Sequence, residues 1–209
     1  MYRPSAFAVD DAATLHAFIR RRPFATIGVV VESRVLLAYA PIVLDAGGTF
    51  GAARFHLAKN NPVAAVADGT PMQISFIGPD AYVSPDWYAS DGLVPTWNYM
   101  AVEGEGWARL LPEADLRMLL VDLSGAQEKQ LSPKKPWTVD KLPADRLAAL
   151  ANAVVGFSVV FEKLEGKFKL SQDKSPEDRA GVIAGLEARN DAASAAVADA
   201  MREWNDEQE

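Results

Sequence analysis

A histidine and a lysine three residues apart, in His56-Leu57-Ala58-Lys59-Asn60-Asn61-Pro62, make the segment of this chain best suited to holding an anion. The apolar residues before it read as a strand, and 63–66 as a short helix. At a helix start the backbone N–H groups point outward and the dipole favours negative charge. Lys59 adds a full positive charge. A second reading uses the same residues: Asn60 and Asn61 cap the helix and Lys59 is solvated. Composition does not separate the two.

Two other stretches carry usable chemistry. Residues 76–100 hold Tyr82, Trp87, Tyr88, Trp97 and Tyr99, interleaved with Pro79, Pro85 and Pro95. The proline rings fix φ and remove backbone donors, so the expectation is a strand, a stiff irregular loop and a returning strand. Flat aromatic surface on such a loop suits a planar ligand or a partner chain. From these residues alone, a hydrophobic cluster that packs the loop down comes first. Further on, Lys167 and Lys169 alternate with Phe168 and Leu170, which gives one basic face and one buried face in an extended segment.

Other chemistries lack their residues. Two histidines and no cysteine leave too few ligands for a zinc site, and no metal is expected. There is no Gly-x-Ser-x-Gly elbow and no phosphate-binding glycine loop, and Gly104-Glu105-Gly106 lacks the third glycine of a dinucleotide fingerprint. Asp10 and Asp11 read as a helix cap, and Glu103 and Glu105 as solvent-facing strand residues. An enzyme built on this chain needs a cofactor to carry the reaction. No apolar run approaches the roughly 20 residues that span a bilayer. The start Met-Tyr-Arg-Pro-Ser lacks signal-peptide order, and the absence of cysteine fits a cytoplasmic protein. The net charge of −7, with basic clusters only at 20–22 and 134–135, argues against tight direct DNA binding. No helix-turn-helix pattern with a basic recognition helix is visible either.

The elements that must position these residues follow from hydrophobic period and turn chemistry. Strands are expected at 24–31, 34–44 (with Pro41 marking an edge or a bulge), 49–55, 72–77, 96–111 (with Gly104 and Gly106 marking a bend or a bulge) and 157–164. Helices are expected at 10–22, 113–123, 145–155, from Ser175, and in the Ala-rich tail 191–209. His16 reads as a partly exposed helix residue. About six strands in an antiparallel meander, with helices at the ends, make an α+β fold on a small closed or nearly closed barrel. Side chains fill such a barrel, so a large ligand lies in a groove outside it, often completed by a second subunit. The expected division is a barrel domain over 1–187 and a peripheral helix over 188–209.

Several strings resemble one family. They are Met1-Tyr-Arg-Pro4, His56-Leu-Ala-Lys-Asn-Asn-Pro62, Gly78-Pro79 with Ala81-Tyr-Val-Ser-Pro85, Val94-Pro-Thr-Trp-Asn-Tyr99 and Leu164-Glu-Gly-Lys-Phe-Lys-Leu-Ser-Gln172. In this order they resemble the PaiB-type negative transcriptional regulators of the FMN-binding split-barrel superfamily. The resemblance implies a split β-barrel, FMN in a groove at a homodimer interface, and kinship with pyridoxamine-phosphate oxidases, flavin reductases and some haem-degrading proteins. It implies a site in which Tyr39, Ala40, Pro41 and Ile42 offer strand backbone to the flavin edge. His56, Leu57, Lys59 and Asn60 then take the phosphate, and Trp97 and Asn98 cover the ring. Lys167, Lys169 and Gln172 either serve the same site or seal the barrel. Two family histidines are replaced here, by Ala40 and Asp80, so any role they serve toward flavin or substrate is unfilled. An FMN-dependent oxidoreductase acting on a small molecule is the alternative to indirect regulation.

Overall fold

The computed structural model describes residues 1–65 and 68–206; Val66, the last residue of the expected short helix, lies outside them. The strands are β1 (Ala8–Val9), β2 (Phe24–Val31), β3 (Arg34–Pro41), β4 (Val43–Asp45), β5 (Ala52–Ala58), β6 (Pro71–Val83), β7 (Thr96–Leu110) and β8 (Val154–Lys169). The helices are α1 (Ala12–Arg21), α2 (Glu113–Glu128), α3 (Ala144–Asn152), α4 (Pro176–Ala188) and α5 (Ala192–Asp206). The fold is α+β. Its sheet has eight strands where six were expected, in the order β3–β2–β6–β7–β8–β5–β4, with β1 beside β8. No helix among the described residues is long and apolar enough to cross a membrane.

Of the described residues, His16–Phe76 and Glu103–Leu164 form one compact unit; Met1–Leu15, Ile77–Val102 and Glu165–Glu209 form the other. In the first unit, the strand expected over 34–44 is two strands, because the chain breaks at Ile42 just after Pro41. Proline has no N–H to continue a ladder, and β3 is the end strand of the sheet, where a missing outward donor costs no bond. β3 and β4 stand at opposite ends of the hydrogen-bonded order, yet the single residue Ile42 joins them. β3 also packs on β5. The sheet therefore curls back on itself and leaves one seam without a ladder, which is the split of a split barrel.

The β2–β3 turn is Glu32-Ser33, both with positive φ (47° and 62°), the geometry that matches strand twist in a two-residue hairpin. The expected strand at 49–55 starts later and ends later, at Ala52–Ala58. His16 is buried, not partly exposed, with its Nε2 2.9 Å from the Phe50 carbonyl oxygen. Phe55 and Phe157 are register partners across β5 and β8, and their rings stack at 5.5 Å in the core.

Two strands change phase along their length. In β8 the buried residues are Phe157, Val159 and Phe161, then Leu164, Gly166 and Phe168, with Glu162 and Lys163 both exposed between them. In β6 they are Met72, Ile74 and Phe76, then Ala81 and Val83. Gly78-Pro79, which the sequence presents as the start of a loop, lies inside β6 where its alternation shifts.

In the second unit, Trp87 seats on two glycines of α4. A Cβ on Gly181 would lie 2.0 Å from the Trp87 carbonyl oxygen, and one on Gly185 would lie 2.3 Å from its indole. Buried Asp178 accepts hydrogen bonds from the Ser90 N–H (2.8 Å) and hydroxyl (3.0 Å), which pins the end of the aromatic loop to the same helix. Those bonds, the Ser90 N–H first, hold its carboxyl below the usual range. The tail is not peripheral. Val197, Ala198 and Met201 of α5 are fully buried, and Trp204 meets Phe168 edge-on at 5.2 Å.

Gly104 and Gly106 allow close approach of β7 to β8. A Cβ on Gly106 would lie 2.1 Å from the Val160 carbonyl oxygen, a backbone atom that cannot turn away. Gly106→Ala should therefore lower stability by about 1–3 kcal/mol in urea unfolding. Gly47→Ala, where nothing lies within 4 Å of the added carbon, should change little. Equal midpoints for the two variants would contradict this reading of the β7–β8 contact.

Candidate functional site

The residues singled out by the sequence fall into two sets, one in each compact unit. The first set gathers at the end of β3 and the end of β5. β3 packs against both β5 and the 3-10 turn Pro62–Ala65, so Tyr39 to Ile42 and His56 to Asn60 share a neighbourhood. Ala40, Ile42 and Leu57 turn their side chains into the core. They can meet a ligand only through backbone. Tyr39 is 61% exposed on the outer face. The Ile42 N–H is already engaged, donating to the Pro23 carbonyl at 2.8 Å.

His56 is half-buried, and its Nδ1 is a buried atom with no hydrogen-bond partner among the described residues. Burial lowers the imidazole pKa below its usual value, which favours the neutral ring. Lys59 is exposed in the turn that follows, its N–H donating to the Ala153 carbonyl at 3.0 Å and its ammonium without a carboxylate partner among the described residues. The expected helix start reduces to the single 3-10 turn Pro62–Ala65, too short to carry a macrodipole. Its Val63 N–H is also taken by the Asn61 side chain at 2.9 Å. Asn61 therefore caps, as the second sequence reading had it, and Asn60 is exposed. The anion-holding capacity of this segment rests on Lys59 and His56 alone. A ring nitrogen and, three residues on, a cation that have no partners among the described residues fit a phosphate ester, and the end strand that packs on β5 fits a ligand with a polar rim.

The second set lies at the ends of β7 and β8. Asn98 is wholly buried, its Nδ2 donating to Ser171 Oγ at 2.9 Å and to Met201 Sδ at 3.4 Å. It faces the interior and offers nothing to a ligand ring. Gln172 folds back on its own turn, accepting from the Leu170 N–H at 2.7 Å and donating to the Phe168 carbonyl at 2.5 Å. Trp97 is 53% exposed and meets Tyr82 edge-on at 6.2 Å. Lys167 Nζ stands 5.4 Å from the ring centre of Tyr2 and 5.2 Å from that of Tyr99. Lys169 donates to the Trp97 carbonyl at 3.0 Å and to the Thr96 hydroxyl.

Tyr2 and Thr96 were not singled out from the sequence. Thr96 has a readable signal, since it lies between Pro95 and Trp97 in the aromatic stretch. Tyr2 has none. It comes to Lys167 through the pairing of β1 with β8, where Ala8 stands opposite Lys167.

The chain is similar to known proteins along most of its length. It is 28% identical to "Protease synthase and sporulation protein PAI 2" of Bacillus subtilis over 97% of both chains. Among solved structures, it resembles the FAD and heme binding protein of Mycobacterium smegmatis with a TM-score of 0.57, at 16% identity, over 83% of this chain and 78% of that one. It also resembles the flavocytochrome Anf3 of Azotobacter vinelandii, with a TM-score of 0.56 at 16% identity over 80% and 72%. At these identities the two structures speak for the split-barrel fold alone. Residues 1–163 match the family model described as "Putative FMN-binding domain". The chain belongs to that FMN-binding family, with FMN as its cofactor.

Proposed function

We propose that the protein is a PaiB-like FMN-binding homodimer whose regulatory effect is indirect, exerted through its flavin or a small molecule. The observation that carries this is that His56, whose buried Nδ1 has no hydrogen-bond partner among the described residues, and Lys59, whose ammonium has no carboxylate partner among them, lie three residues apart at the end of β5, a strand on which the end strand β3 packs. In this reading Lys59 and His56 hold the flavin phosphate, and the backbone of Tyr39 to Ile42 lines the polar edge of the ring. Bound FMN supplies electron and hydride transfer, and the chain supplies placement and charge. Ala40 and Asp80 leave no imidazole at either replaced position. The second copy is supported by the exposed apolar side chains Phe24, Leu37 and Tyr39 on β2 and β3, an outer sheet face that a like surface would cover. Indirect regulation is supported by charge: 21 basic residues stand against 28 acidic ones.

Lys59→Ala should weaken FMN binding by the worth of a charge-assisted contact, about 1.5–3 kcal/mol, and leave riboflavin binding nearly unchanged, because riboflavin has no phosphate. Titrations followed by flavin fluorescence decide it. Equal losses for both ligands would make Lys59 structural and misplace the phosphate.

The pH dependence has a definite sign. Burial depresses the His56 pKa below 6.5 in the free protein, so its stability contribution is present above pH 6.5 and lost as pH falls through the depressed value. A bound phosphate raises that pKa, so binding takes up a proton. FMN affinity should therefore rise as pH falls from about 8 toward the usual imidazole range, with riboflavin affinity flat. Parallel pH profiles for the two flavins would contradict the placement of His56.

A further inference from the structure

The phase change in β8 puts Glu165, Lys167 and Lys169 on one partly exposed face of the strand. Glu165 is engaged elsewhere: its carboxylate is 3.0 Å from the Met1 ammonium and 3.3 Å from the Arg3 guanidinium. Asp173 is paired with Lys174 at 2.8 Å. Neither Lys167 nor Lys169 has a carboxylate within ion-pair distance among the described residues. Residues two apart on a strand lie roughly 7 Å from each other, so two cations sit side by side, with the charge of Asp173 felt by Lys169 but no carboxylate among the described residues in direct contact with either. They do so in a chain whose net charge is −7, where acidic partners are plentiful.

Both ammonium groups are oriented. Lys169 is fixed by the Trp97 carbonyl and the Thr96 hydroxyl, and Lys167 stands between the rings of Tyr2 and Tyr99. Burial also pushes the Lys169 pKa down, a penalty that a neighbouring anion would relieve. Alongside lies open aromatic surface, with Trp97 and Tyr2 both exposed and Trp97 braced edge-on by Tyr82. Snorkelling lysines on a structural strand would need neither the two fixed acceptors nor the exposed indole.

We infer that this face of the second unit binds a planar aromatic anion, its ring on Trp97 and its carboxylate or phosphate held by Lys167 and Lys169. Such a molecule is a substrate or effector separate from FMN. The inference rests on the flavin reading only in giving the flavin phosphate to Lys59.

The test is calorimetric titration of the full chain, with and without FMN, using 2-naphthoate, 2-naphthyl phosphate and the neutral 2-naphthamide. Either acid should bind at least about tenfold more tightly than the amide, and the tighter of the two names the acid group. Lys167→Gln and Lys169→Gln should each weaken the acids about tenfold while FMN affinity holds within about twofold. Trp97→Ala, at an exposed position, should weaken all three probes, and it keeps the test open should a lysine variant fail to fold. Equal affinity for acids and amide, or no effect of Trp97→Ala, overturns the inference. So does a loss of FMN affinity in Lys169→Gln, which would give these lysines to the flavin instead. If wild-type protein binds 2-naphthoate and fails to bind FMN, the flavin reading fails and this one stands.

Discussion

Side-chain alternation along β8 is the constraint from which the chemistry of this molecule follows. An unbroken period of two would carry the buried odd positions Phe157, Val159 and Phe161 on to Lys167 and Lys169, and two ammonium groups would enter the core. Consecutive exposure of Glu162 and Lys163 resets the phase, so Leu164, Gly166 and Phe168 turn inward and the lysines turn out. β6 makes a comparable change across Gly78-Pro79, where proline has no N–H for the ladder.

Charge is distributed with the same economy. Arg54 is held by Asp45 (2.8 Å) and Asp122 (2.9 Å), which ties β4, β5 and α2 together and favours the charged guanidinium further. Arg3 joins Asp10 and Glu165 at 2.6 and 3.3 Å. Lys59, Lys167 and Lys169, like several other cations, have no carboxylate within ion-pair distance among the described residues. Exposed ion pairs contribute little to stability, so their absence costs the fold little and leaves positive charge available to ligands.

What the sequence discloses is what local pattern controls. The β2–β3 hairpin follows from turn chemistry and the basic face from the alternation of Lys167 and Lys169 with Phe168 and Leu170, and the structure keeps both, but the phase reset at Glu162-Lys163 is not legible in the pattern. The capping of α1 is similarly local: Asp11 accepts from the Thr14 N–H at 2.8 Å. Other features depend on partners far away in the chain. Asn98 is adjacent to Trp97 and reads as part of the same aromatic surface, but Met201, 103 residues later, draws it into the core. His16 is buried by Phe50, and Tyr2 reaches Lys167 only because β1 pairs with β8. Gly78-Pro79 carries a strong turn signature that the surrounding sheet overrides. The integration of α5 was hidden for the same reason, since an Ala-rich amphipathic helix looks alike on a surface and against a partner.

The proposed flavin site depends on His56 meeting the flavin phosphate. The chain has two histidines, and His16, already bonded to the Phe50 carbonyl, serves as an internal control. Nitrogen NMR of protein labelled at histidine, recorded through titration with FMN and then with riboflavin, reads both rings at once. FMN should move the His56 ring nitrogens toward the hydrogen-bonded, protonated form and leave those of His16 in place, and riboflavin should leave the His56 protonation state unchanged. Saturation with FMN while the His56 nitrogens stay at their free positions would contradict the account.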